Sequence, residues 1–358
     1  MFTKKTIQDV LVKGQIVLLR TDYNVPLDDA GAITDDLRIR ASIPTIEYLL
    51  DNKAAKIIII SHLGRPDGKR DKKFSLAPVA LHLQTLLPQT TVQFIPENCG
   101  PEVEEAVDNM PKGSILLLEN LRFSVDEEKD SDDFASEIID STHADLFVQD
   151  GFAVVHRAHA STDAITRLIP SVAGLLVEKE VATLTSAMED PTHPLLLIIG
   201  GAKVADKQPL IDKFISLADH IVVSGKIAAD GYTPTAENIT TASDFTTDSS
   251  GAKLDIGPKS TAAIIDLINS AKTIIWNGLT GYAEDPDFAA SSTAVAEAIG
   301  QRTGATTIIC GGDTSGFVEN LKKSQPSLKY SLISTGGGAS LELLSGLSLP
   351  GIDALDDK

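Results

Sequence analysis

The stretch LLLIIGGAKVADK, residues 195–207, contains the pattern that decides the fold. Five apolar residues without a polar break are followed at once by a glycine pair and then by two lysines. A continuous apolar run of this length is typical of a strand buried on both faces, as in a parallel sheet. The glycines and lysines then stand at the carboxyl end of the strand, where open α/β sheets bind their ligands.

The same arrangement recurs along the whole chain, because nearly every apolar run leads directly into a polar or glycine-rich cluster. Stretches with helical spacing of apolar residues lie between the runs. This alternation predicts an α/β protein with doubly wound parallel sheets. The predicted strands are residues 16–19, 57–60, 115–118, 146–148, 195–199, 221–223, 273–275, 306–309 and 331–333. The predicted helices are residues 44–50, 77–87, 102–107, 134–139, 180–188, 210–217, 261–268, 293–299 and 316–321.

Length and composition limit the class of protein. At 358 residues the chain has room for two domains of roughly 150 residues each. Its 42% hydrophobic and 23% charged residues exclude a disordered, collagen-like or coiled-coil protein. Since no apolar run is long enough to cross a bilayer, we expect no membrane partner. Two cysteines, Cys99 and Cys310, are too few for a disulfide framework, and the start MFTKKTIQDV lacks a secretion signal, so we expect a reducing, cytoplasmic compartment.

The charge distribution divides the chain into two chemically different parts. Lys and Arg number 31 against 50 Asp and Glu, and the resulting net charge of −19 argues against a nucleic acid partner. The arginines nevertheless concentrate in the first 167 residues, with only Arg302 beyond them. The later part carries most of the glycine clusters. We expect the break between two domains within residues 168–194.

The first part offers arginines and histidines just after predicted strands. The planar guanidinium group matches carboxylates and phosphates through two-point contacts, so several of them at one sheet edge predict a pocket for a small, multiply charged anion. The alternative is a set of solvated surface residues. A metal site at His156 and His159 is disfavoured, because the interleaved Arg157 would repel a cation. The candidate residues are Arg20, Asp22, Asn24, Arg38, His62, Arg65, Arg122, His156, Arg157 and His159.

The later part offers three glycine clusters at strand-to-helix junctions. In GGAKVADK, Lys203 and Lys207 would share one helix face if a helix begins there. CGGDTSG (310–316) combines backbone amides with Asp313, a carboxylate suited to Mg²⁺. STGGGASLELL (334–344) places three glycines before a helix, whose amides would face a bound phosphate. None matches the P-loop or the GxGxxG fingerprint, and each alone is more often an ordinary turn.

Together the two parts favour phosphoryl transfer, which requires alignment and charge neutralisation more than covalent work by the protein. No nucleophile paired with a base stands out. That is consistent with a carboxylate acceptor, which is already ionised at neutral pH and needs no general base.

These same residues closely resemble the phosphoglycerate kinase family, from about residue 7 to residue 351. The resemblance implies reversible phosphoryl transfer between 1,3-bisphosphoglycerate and ADP, giving 3-phosphoglycerate and ATP, with Mg²⁺. It also implies a monomer of two Rossmann-like domains joined by a hinge that closes on the substrates. The expected domains are 1–170 with about 340–358, and 171–339, linked by a helix near 171–190. The matching phrases are RTDYNVPLD, ITDDLRIRA, SHLGRPDGK, LLLENLRF, DGFAVVHRAHAST, GGAKVADK, LDIGPKS, WNGLTGYAE, GGDTSG and STGGGASLELLSG.

The resemblance also implies roles for single residues. Arg38 would lie near the transferred group, and Lys203 would approach the same group from the nucleotide side. The amides of Gly312 and Gly337 would lie beside it, and Asp313 would carry Mg²⁺. Phosphoglycerate would be bound by Arg20, Asp22, Asn24, Arg38, His62, Leu63, Gly64, Arg65, Arg122 and Arg157. The nucleotide would be bound by Gly201, Lys203, Lys207, Gly225, Asn277, Glu284, Gly311, Gly312, Asp313 and Thr314.

Two stretches depart from the family's pattern. Ser224, Gly225 and Lys226 stand where the family usually has three glycines beside the base, which leaves the choice between adenine and guanine open. The segment 230–257 is shorter than usual by about one helix. Two alternatives therefore remain: a degenerate homologue that binds phosphorylated ligands without turnover, and a dehydrogenase of the same fold. The dehydrogenase would need a GxGxxG turn, which the sequence lacks.

Overall fold

A computed structural model describes residues 2–358, and its chain forms two compact units. One reaches to Val181 and includes Ser348–Lys358, and the other is Ala182–Leu347. Each unit contains a six-stranded parallel sheet with helices, so the predicted α/β class is confirmed.

The sheet of the first unit has the strand order β3-β4-β2-β1-β5-β6. The central strands are apolar on both faces and fully buried, as expected for a sheet covered by helices on both sides. The strands are β1 (Ile16–Arg20), β2 (Lys56–Ile60), β3 (Val92–Phe94), β4 (Ile115–Leu117), β5 (Leu146–Gln149) and β6 (Ser171–Ala173). The helices are α1 (Leu37–Asp51), α2 (Ala77–Leu86), α3 (Pro101–Asn109), α4 (Asp132–Thr142) and α5 (Leu175–Glu189).

The second unit repeats the α/β plan with an added hairpin. Its strands are β7 (Leu195–Ile199), β8 (His220–Val223), β9 (Ile239–Thr241), β10 (Phe245–Thr247), β11 (Lys253–Ile256), β12 (Thr273–Asn277), β13 (Thr306–Cys310) and β14 (Leu332–Ile333). The parallel sheet has the order β14-β13-β12-β7-β8-β9, and β10 and β11 form the separate antiparallel hairpin. The helices are α6 (Gln208–Phe214), α7 (Gly225–Ala229), α8 (Pro258–Ser270), α9 (Ala290–Gly300), α10 (Gly312–Ser324) and α11 (Gly338–Leu344), and the last helix, α12 (Pro350–Asp353), belongs to the first unit.

The link and the returning segment differ in detail from the expected domain limits. The boundary after Val181 falls inside α5, in the stretch where a linking helix is expected. Residues 340–347, expected in the first domain, lie in the second unit. One reason is a buried hydrogen bond of 2.6 Å between the hydroxyls of Ser334 and Ser340, which holds α11 to the end of β14. Only Ser348–Lys358 returns to the first unit, where Lys4 and Asp357 form an antiparallel bridge.

Across residues 2–358, no helix is both long and apolar enough to span a membrane.

Candidate functional site

The first cluster lies at the carboxyl end of β1, the strand that pairs with β2 on one side and β5 on the other. Arg20 ends β1 and is fully buried. Its Nη1 donates to the carbonyl of Thr21 at 2.8 Å, and its Nη2 lies 3.3 Å from Nδ1 of His62 and 3.9 Å from Oε1 of Glu127. A buried guanidinium group held at three sides keeps a fixed position at this sheet edge.

Glu127 is the buried counter-charge of this cluster. Its carboxylate accepts hydrogen bonds from the amide of Ser161 at 3.1 Å and the hydroxyl of Ser161 at 2.6 Å, and lies 3.9 Å from Nδ1 of His159. Burial raises the pKa of Glu127, although the charge of Arg20 opposes this. No sequence pattern identifies Glu127, because it stands in the acidic run DEEKD (126–130), which is typical of a solvated surface.

Asp22 and Asn24 organise the loop after β1. Oδ2 of Asp22 pairs with Nη1 of Arg38 at 2.7 Å, and the same nitrogen donates to the carbonyl of Asn24 at 3.0 Å. Oδ1 of Asn24 accepts from the amide of Gly64 at 2.8 Å. The loops that follow β1 and β2 are thereby held together, and Arg38 from α1 reaches the same edge with about a quarter of its side chain (26%) exposed.

Arg122 and the histidines complete the cluster. Arg122 is buried and donates from Nη1 to the carbonyl of Gly64 at 2.9 Å. Burial, together with the nearby charges of Arg20 and Arg122, lowers the pKa of His62 well below its ordinary value. The same causes lower the pKa of His159 to about 4. Both imidazoles are therefore neutral at pH 7 and present hydrogen-bonding rather than charged groups.

The remaining first-unit candidates differ in exposure. Leu63 is buried, and its carbonyl accepts from Nδ2 of Asn120 at 2.7 Å. Arg65 and Arg157 are exposed, and Nε of Arg157 donates to Nε2 of His156 at 3.2 Å. Within residues 2–358 no group of three or more side chains that could hold a metal ion occurs.

The second cluster lies where β7 and β12 pair at the centre of the other sheet. Here the backbones of two loops approach closely: the amide of Gly200 donates to the carbonyl of Asn277, and the amide of Gly201 to that of Leu279, both at 3.0 Å. A Cβ atom on Gly200 would lie 2.2 Å from the carbonyl oxygen of Leu279, and one on Gly278 would lie 2.3 Å from that of Gly200. Both positions therefore require glycine.

Lys207 and Asn277 form the buried polar pair of this cluster. Nζ of Lys207 donates to Oδ1 of Asn277, which is fully buried at the end of β12. Burial lowers the pKa of Lys207, while Asp206 and Asp313 raise it. The buried Nδ2 of Asn277 has no hydrogen-bond partner among residues 2–358, so it is a donor available to a ligand.

Lys203 and Lys207 do not share a helix face. The segment after Gly201 forms turns, and α6 begins only at Gln208, so the condition for a shared face is not met. Lys203 is exposed, whereas Lys207 points into the pair with Asn277. The turns extend as far as Lys207, and the backbone hydrogen bonds of Gly200 and Gly201 hold the start of this segment against the end of β12 and the loop that follows it.

The other two glycine clusters do open helices, as their sequences predict. Gly311, with φ +92°, precedes α10, and Asp313 is exposed in the first turn of that helix. The buried hydroxyl of Thr314 accepts from the amide of Gly278 at 3.0 Å, which joins α10 to the loop after β12. Gly337, with φ +52°, precedes α11 in the same way.

Glu284 and Lys226 are the remaining candidates of this unit, the first on a loop and the second in α7. Glu284 is exposed and is hydrogen-bonded to the hydroxyl of Tyr282, which raises the pKa of that tyrosine. Lys226 follows Gly225 in α7, and its Nζ pairs with both carboxylate oxygens of Asp230, at 2.7 and 2.9 Å. The added charge of Lys226 is therefore balanced within its own helix turn.

The arrangement of the second sheet matches that of dinucleotide-binding folds, in which ligands bind where the strand order reverses. In the order β14-β13-β12-β7-β8-β9 the reversal lies between β12 and β7. Gly200 and Lys207 follow β7, and Asn277 is the last residue of β12.

Comparison with known proteins then decides the family. The family model of phosphoglycerate kinase matches residues 7–233 and 229–347. The chain belongs to the phosphoglycerate kinase family. It is 39% identical to the phosphoglycerate kinase of Herpetosiphon aurantiacus over 401 residues, covering 99% of this chain and all of the relative. It is 40% identical to that of Chloroflexus aggregans over 404 residues, with 99% of each chain covered.

Solved structures agree with this assignment. The structure of phosphoglycerate kinase from Coxiella burnetii matches with a TM-score of 0.78 at 30% identity, covering 98% of each chain. The crystal structure of phosphoglycerate kinase from Pyrococcus horikoshii matches with a TM-score of 0.85 at 26% identity, covering 99% of this chain and 98% of the other. The chain is therefore a kinase of this family, which decides against the dehydrogenase alternative.

The comparison also bears on the short segment of this phosphoglycerate kinase family member. An alignment of 401 positions is longer than the 358 residues of the chain, so parts of the relative have no counterpart here. The two stretches matched by the family model meet at residues 229–233, at the start of the segment 230–257. That segment contains β9 and the hairpin of β10 and β11.

Proposed function

We propose that this chain catalyses the reversible, Mg²⁺-dependent transfer of a phosphoryl group from 1,3-bisphosphoglycerate to ADP, giving 3-phosphoglycerate and ATP. The observation that carries the proposal is the cluster of guanidinium groups at the carboxyl edge of the first sheet. Arg20, Arg38 and Arg122 are brought to one edge there, with neutral His62 beside them. A small, multiply charged anion such as phosphoglycerate suits this chemistry.

Each part of phosphoglycerate has a suitable partner in the first unit. The exposed Arg65 and Arg157, with the buried Arg122, would bind the distal phosphate. Asp22 and Asn24 would hydrogen-bond the carboxylate and hydroxyl region, held in place by Arg38 and Gly64. Arg38 would stabilise the charge of the transferred group, since its side chain is partly exposed.

The second unit would bind the nucleotide. Lys207 and Nδ2 of Asn277 would donate hydrogen bonds to its phosphates. The amides of Gly311 and Gly312, at the start of α10, would face the same phosphates. The exposed Lys203 would contact the transferred group, and Glu284 would bind the ribose hydroxyls. The remaining proposed contacts are Gly201, Gly225, Thr314 and Gly337.

Asp313 fits the role of a magnesium ligand. It supplies one exposed carboxylate beside the proposed phosphate site, and Mg²⁺ is commonly held by one or two carboxylates together with waters and substrate phosphates. When bound, the ion would neutralise charge on the phosphates.

The transfer requires no general base, because the acceptor oxygen of 3-phosphoglycerate is a carboxylate that is ionised at neutral pH. The proposal therefore assigns the chain only positioning and charge stabilisation, with direct in-line transfer as the two units close on their substrates. It further takes the enzyme to act as a monomer in the cytoplasm. The two free cysteines, Cys99 and Cys310, support a reducing compartment.

A coupled assay with 3-phosphoglycerate, ATP and Mg²⁺ tests the reaction, and two variants test the assignment. We expect Arg38→Ala and Lys203→Ala each to lower kcat by about 100-fold, since each removes one charge contact to the transferred group. Thermal unfolding should change little in Lys203→Ala, because that side chain is exposed, whereas Arg38→Ala should also lose some stability, because it leaves the nearly buried Asp22 without its partner. Initial rates and unfolding curves measure the two effects.

Two exposed residues outside the clusters serve as matched controls. Arg70→Ala removes a surface pair with Glu97, and Lys329→Ala removes an exposed lysine of the second unit. Both should retain wild-type rates. Wild-type protein that binds the substrates without turnover would support the degenerate homologue instead, and near-normal rates in both active-site variants would refute the roles of Arg38 and Lys203.

A further inference from the structure

The motif LDIGPKS, residues 254–260, has no part in the roles proposed so far. Its acidic residue, Asp255, lies on β11 and is only 4% exposed. Oδ2 of Asp255 accepts from the amide of Ser291 at 3.1 Å, and Oδ1 accepts from the amide of Ile256 at 2.9 Å and from the hydroxyl of Ser291. A carboxylate on the hairpin thus caps the first turn of α9 from outside the helix.

The same network reaches the loop that carries Glu284, here called the 278–285 loop. The hydroxyl of Ser291 contacts that of Thr280, and the hydroxyl of Ser292 accepts from the amides of Thr280 at 3.1 Å and Gly281 at 3.3 Å. Thr280, Ser291 and Ser292 are almost fully buried. Ser291 therefore connects Asp255 to the side chain of Thr280 in the 278–285 loop.

Direct packing adds to this indirect connection. The amide of Tyr282 donates to the carbonyl of Leu254 at 2.7 Å. A Cβ atom on Gly281 would lie 2.1 Å from Oδ1 of Asp255, so the loop backbone lies directly against the carboxylate. The loop cannot shift toward β11 without displacing Asp255, and it is held from moving away by the hydrogen bond of Tyr282.

The opposite end of the 278–285 loop belongs to the proposed phosphate site. Leu279 accepts from the amide of Gly201, and Gly278 donates to the hydroxyl of Thr314. The loop is thus held between the glycine turn on one side and the hairpin on the other. Its position fixes where Glu284 stands relative to Lys207 and Asn277.

We propose that Asp255 is a positioning residue for nucleotide binding, acting through Ser291 and the 278–285 loop. The proposal rests on the proposed function, in which this loop binds the nucleotide. It gives the shortened segment 230–257 a defined task, because the hairpin that remains there supplies the buried carboxylate. Asp255 itself makes no contact with substrate in this account.

The test is Asp255→Asn, which preserves shape but replaces one acceptor oxygen by a donor. We expect KM for ATP to rise about tenfold, equivalent to the loss of one or two net hydrogen bonds. KM for 3-phosphoglycerate should stay within about twofold of wild type, since its proposed ligands lie on the other sheet. Calorimetric titration with ATP should show the same weakening without turnover.

Asp244→Asn is the matched control within the same segment. Asp244 caps α8 as Asp255 caps α9, since it accepts from the amide and the hydroxyl of Ser260 and from the amide of Lys259 at 3.0 Å. It does not take part in the network of the 278–285 loop. We expect a similar loss of stability in both variants, but an unchanged KM for ATP in Asp244→Asn.

Ser291→Ala supplies a second, milder variant in case Asp255→Asn does not fold. The two substitutions should be strongly non-additive in their effect on ATP affinity, because they remove the same connection. Equal changes of both KM values, or unchanged ATP affinity in both variants, would refute the positioning role while leaving the kinase function intact. Failure of wild-type protein to bind ATP at all would overturn both proposals, whereas ATP binding without turnover still permits the affinity comparison.

Discussion

Two buried histidines stand among guanidinium groups in the first unit, and their surroundings decide their charge. His62 and His159 are each about 95% buried or more, and the arginines near them disfavour a further positive charge. The imidazoles therefore stay neutral through the physiological range. The pocket's positive charge comes from guanidinium groups alone and should not vary with pH near neutrality.

This burial has a measurable effect on stability at acid pH. The pKa of His159 falls from 6.5 to about 4 on folding, so between these values the unfolded chain binds more protons than the folded one. The free energy of unfolding should therefore fall as the pH drops from about 6.5 to about 4. In His159→Gln this slope should be smaller by up to about 1 kcal/mol per pH unit.

Urea unfolding at several pH values between these limits measures the slope. His220→Gln, a substitution of an exposed histidine, is the control and should keep the wild-type slope. An unchanged slope in His159→Gln would mean that this imidazole is protonated in the folded protein.

Single residues also show how far the sequence predicts the site. Arg20, Asp22 and Asn277 are identifiable because each comes at or just after the end of an apolar run, where parallel strands bring their ends to one edge. Glu127 and Asp255 are not, because their importance depends on burial by distant segments. Ser161 reaches Glu127 across 34 positions and Ser291 reaches Asp255 across 36, distances over which local patterns carry no information.

At the scale of elements, the first turn of helix α5 is capped by the buried carboxyl group of Asp150. Oδ1 of Asp150, which follows β5, accepts from the amide of Leu176 at 3.0 Å in the first turn of α5. Burial, with a contribution from the charge of Glu180, raises the pKa of Asp150 to about 8. A Cβ atom on Gly174 would lie 2.1 Å from the same carboxyl oxygen, so the backbone at Gly174 lies directly against the carboxyl group.

The raised pKa predicts how Asp150→Asn behaves. The folded protein binds one proton more than the unfolded chain between the ordinary pKa of 3.8 and about 8, so wild type loses stability as the pH rises through this range. The neutral amide of Asp150→Asn has no such dependence. We expect its free energy of unfolding, relative to wild type, to increase by up to about 1.4 kcal/mol per pH unit.

Chemical unfolding at pH 5, 7 and 9 on both proteins, buffered alike, gives the comparison. A parallel pH dependence in the two proteins would show that Asp150 is ionised when folded, with the amides at the start of α5 stabilising its charge.

The elements differ in how well the sequence predicts them. Each of the nine predicted strand runs overlaps an observed strand, and each predicted helix overlaps an observed one. Long apolar runs and helical spacing favour the same secondary structure before and after tertiary packing. The short strands β3, β6 and β9, with the sequences VQF, SVA and ITT, carry too few residues for either signal. They are strands because each pairs with the edge of its neighbour, β4, β5 or β8, which is tertiary information.

At the scale of the whole molecule, the proposed reaction requires closure. Closure of the two units would exclude water from the transfer, and it would bring together substrates that are bound on separate units. We expect the radius of gyration from small-angle X-ray scattering to fall when 3-phosphoglycerate and a non-hydrolysable ATP analogue are both bound. Either ligand alone should produce a smaller change.

The same scattering curves give the particle mass and so test the proposed monomer. Arg38→Ala serves as a comparison, since it should bind nucleotide normally. An unchanged radius with both ligands bound at saturation would refute closure in the form proposed.

The first unit is discontinuous in sequence, because Ser348–Lys358 returns to it after the second unit is complete. The amide of Lys5 donates to the carbonyl of Asp356, and the amide of Lys358 donates to the carbonyl of Thr3. During synthesis these contacts can form only after Ser348–Lys358 has emerged from the ribosome. The second unit has its whole sequence available earlier, so the part of the protein made first is the part that finishes folding last.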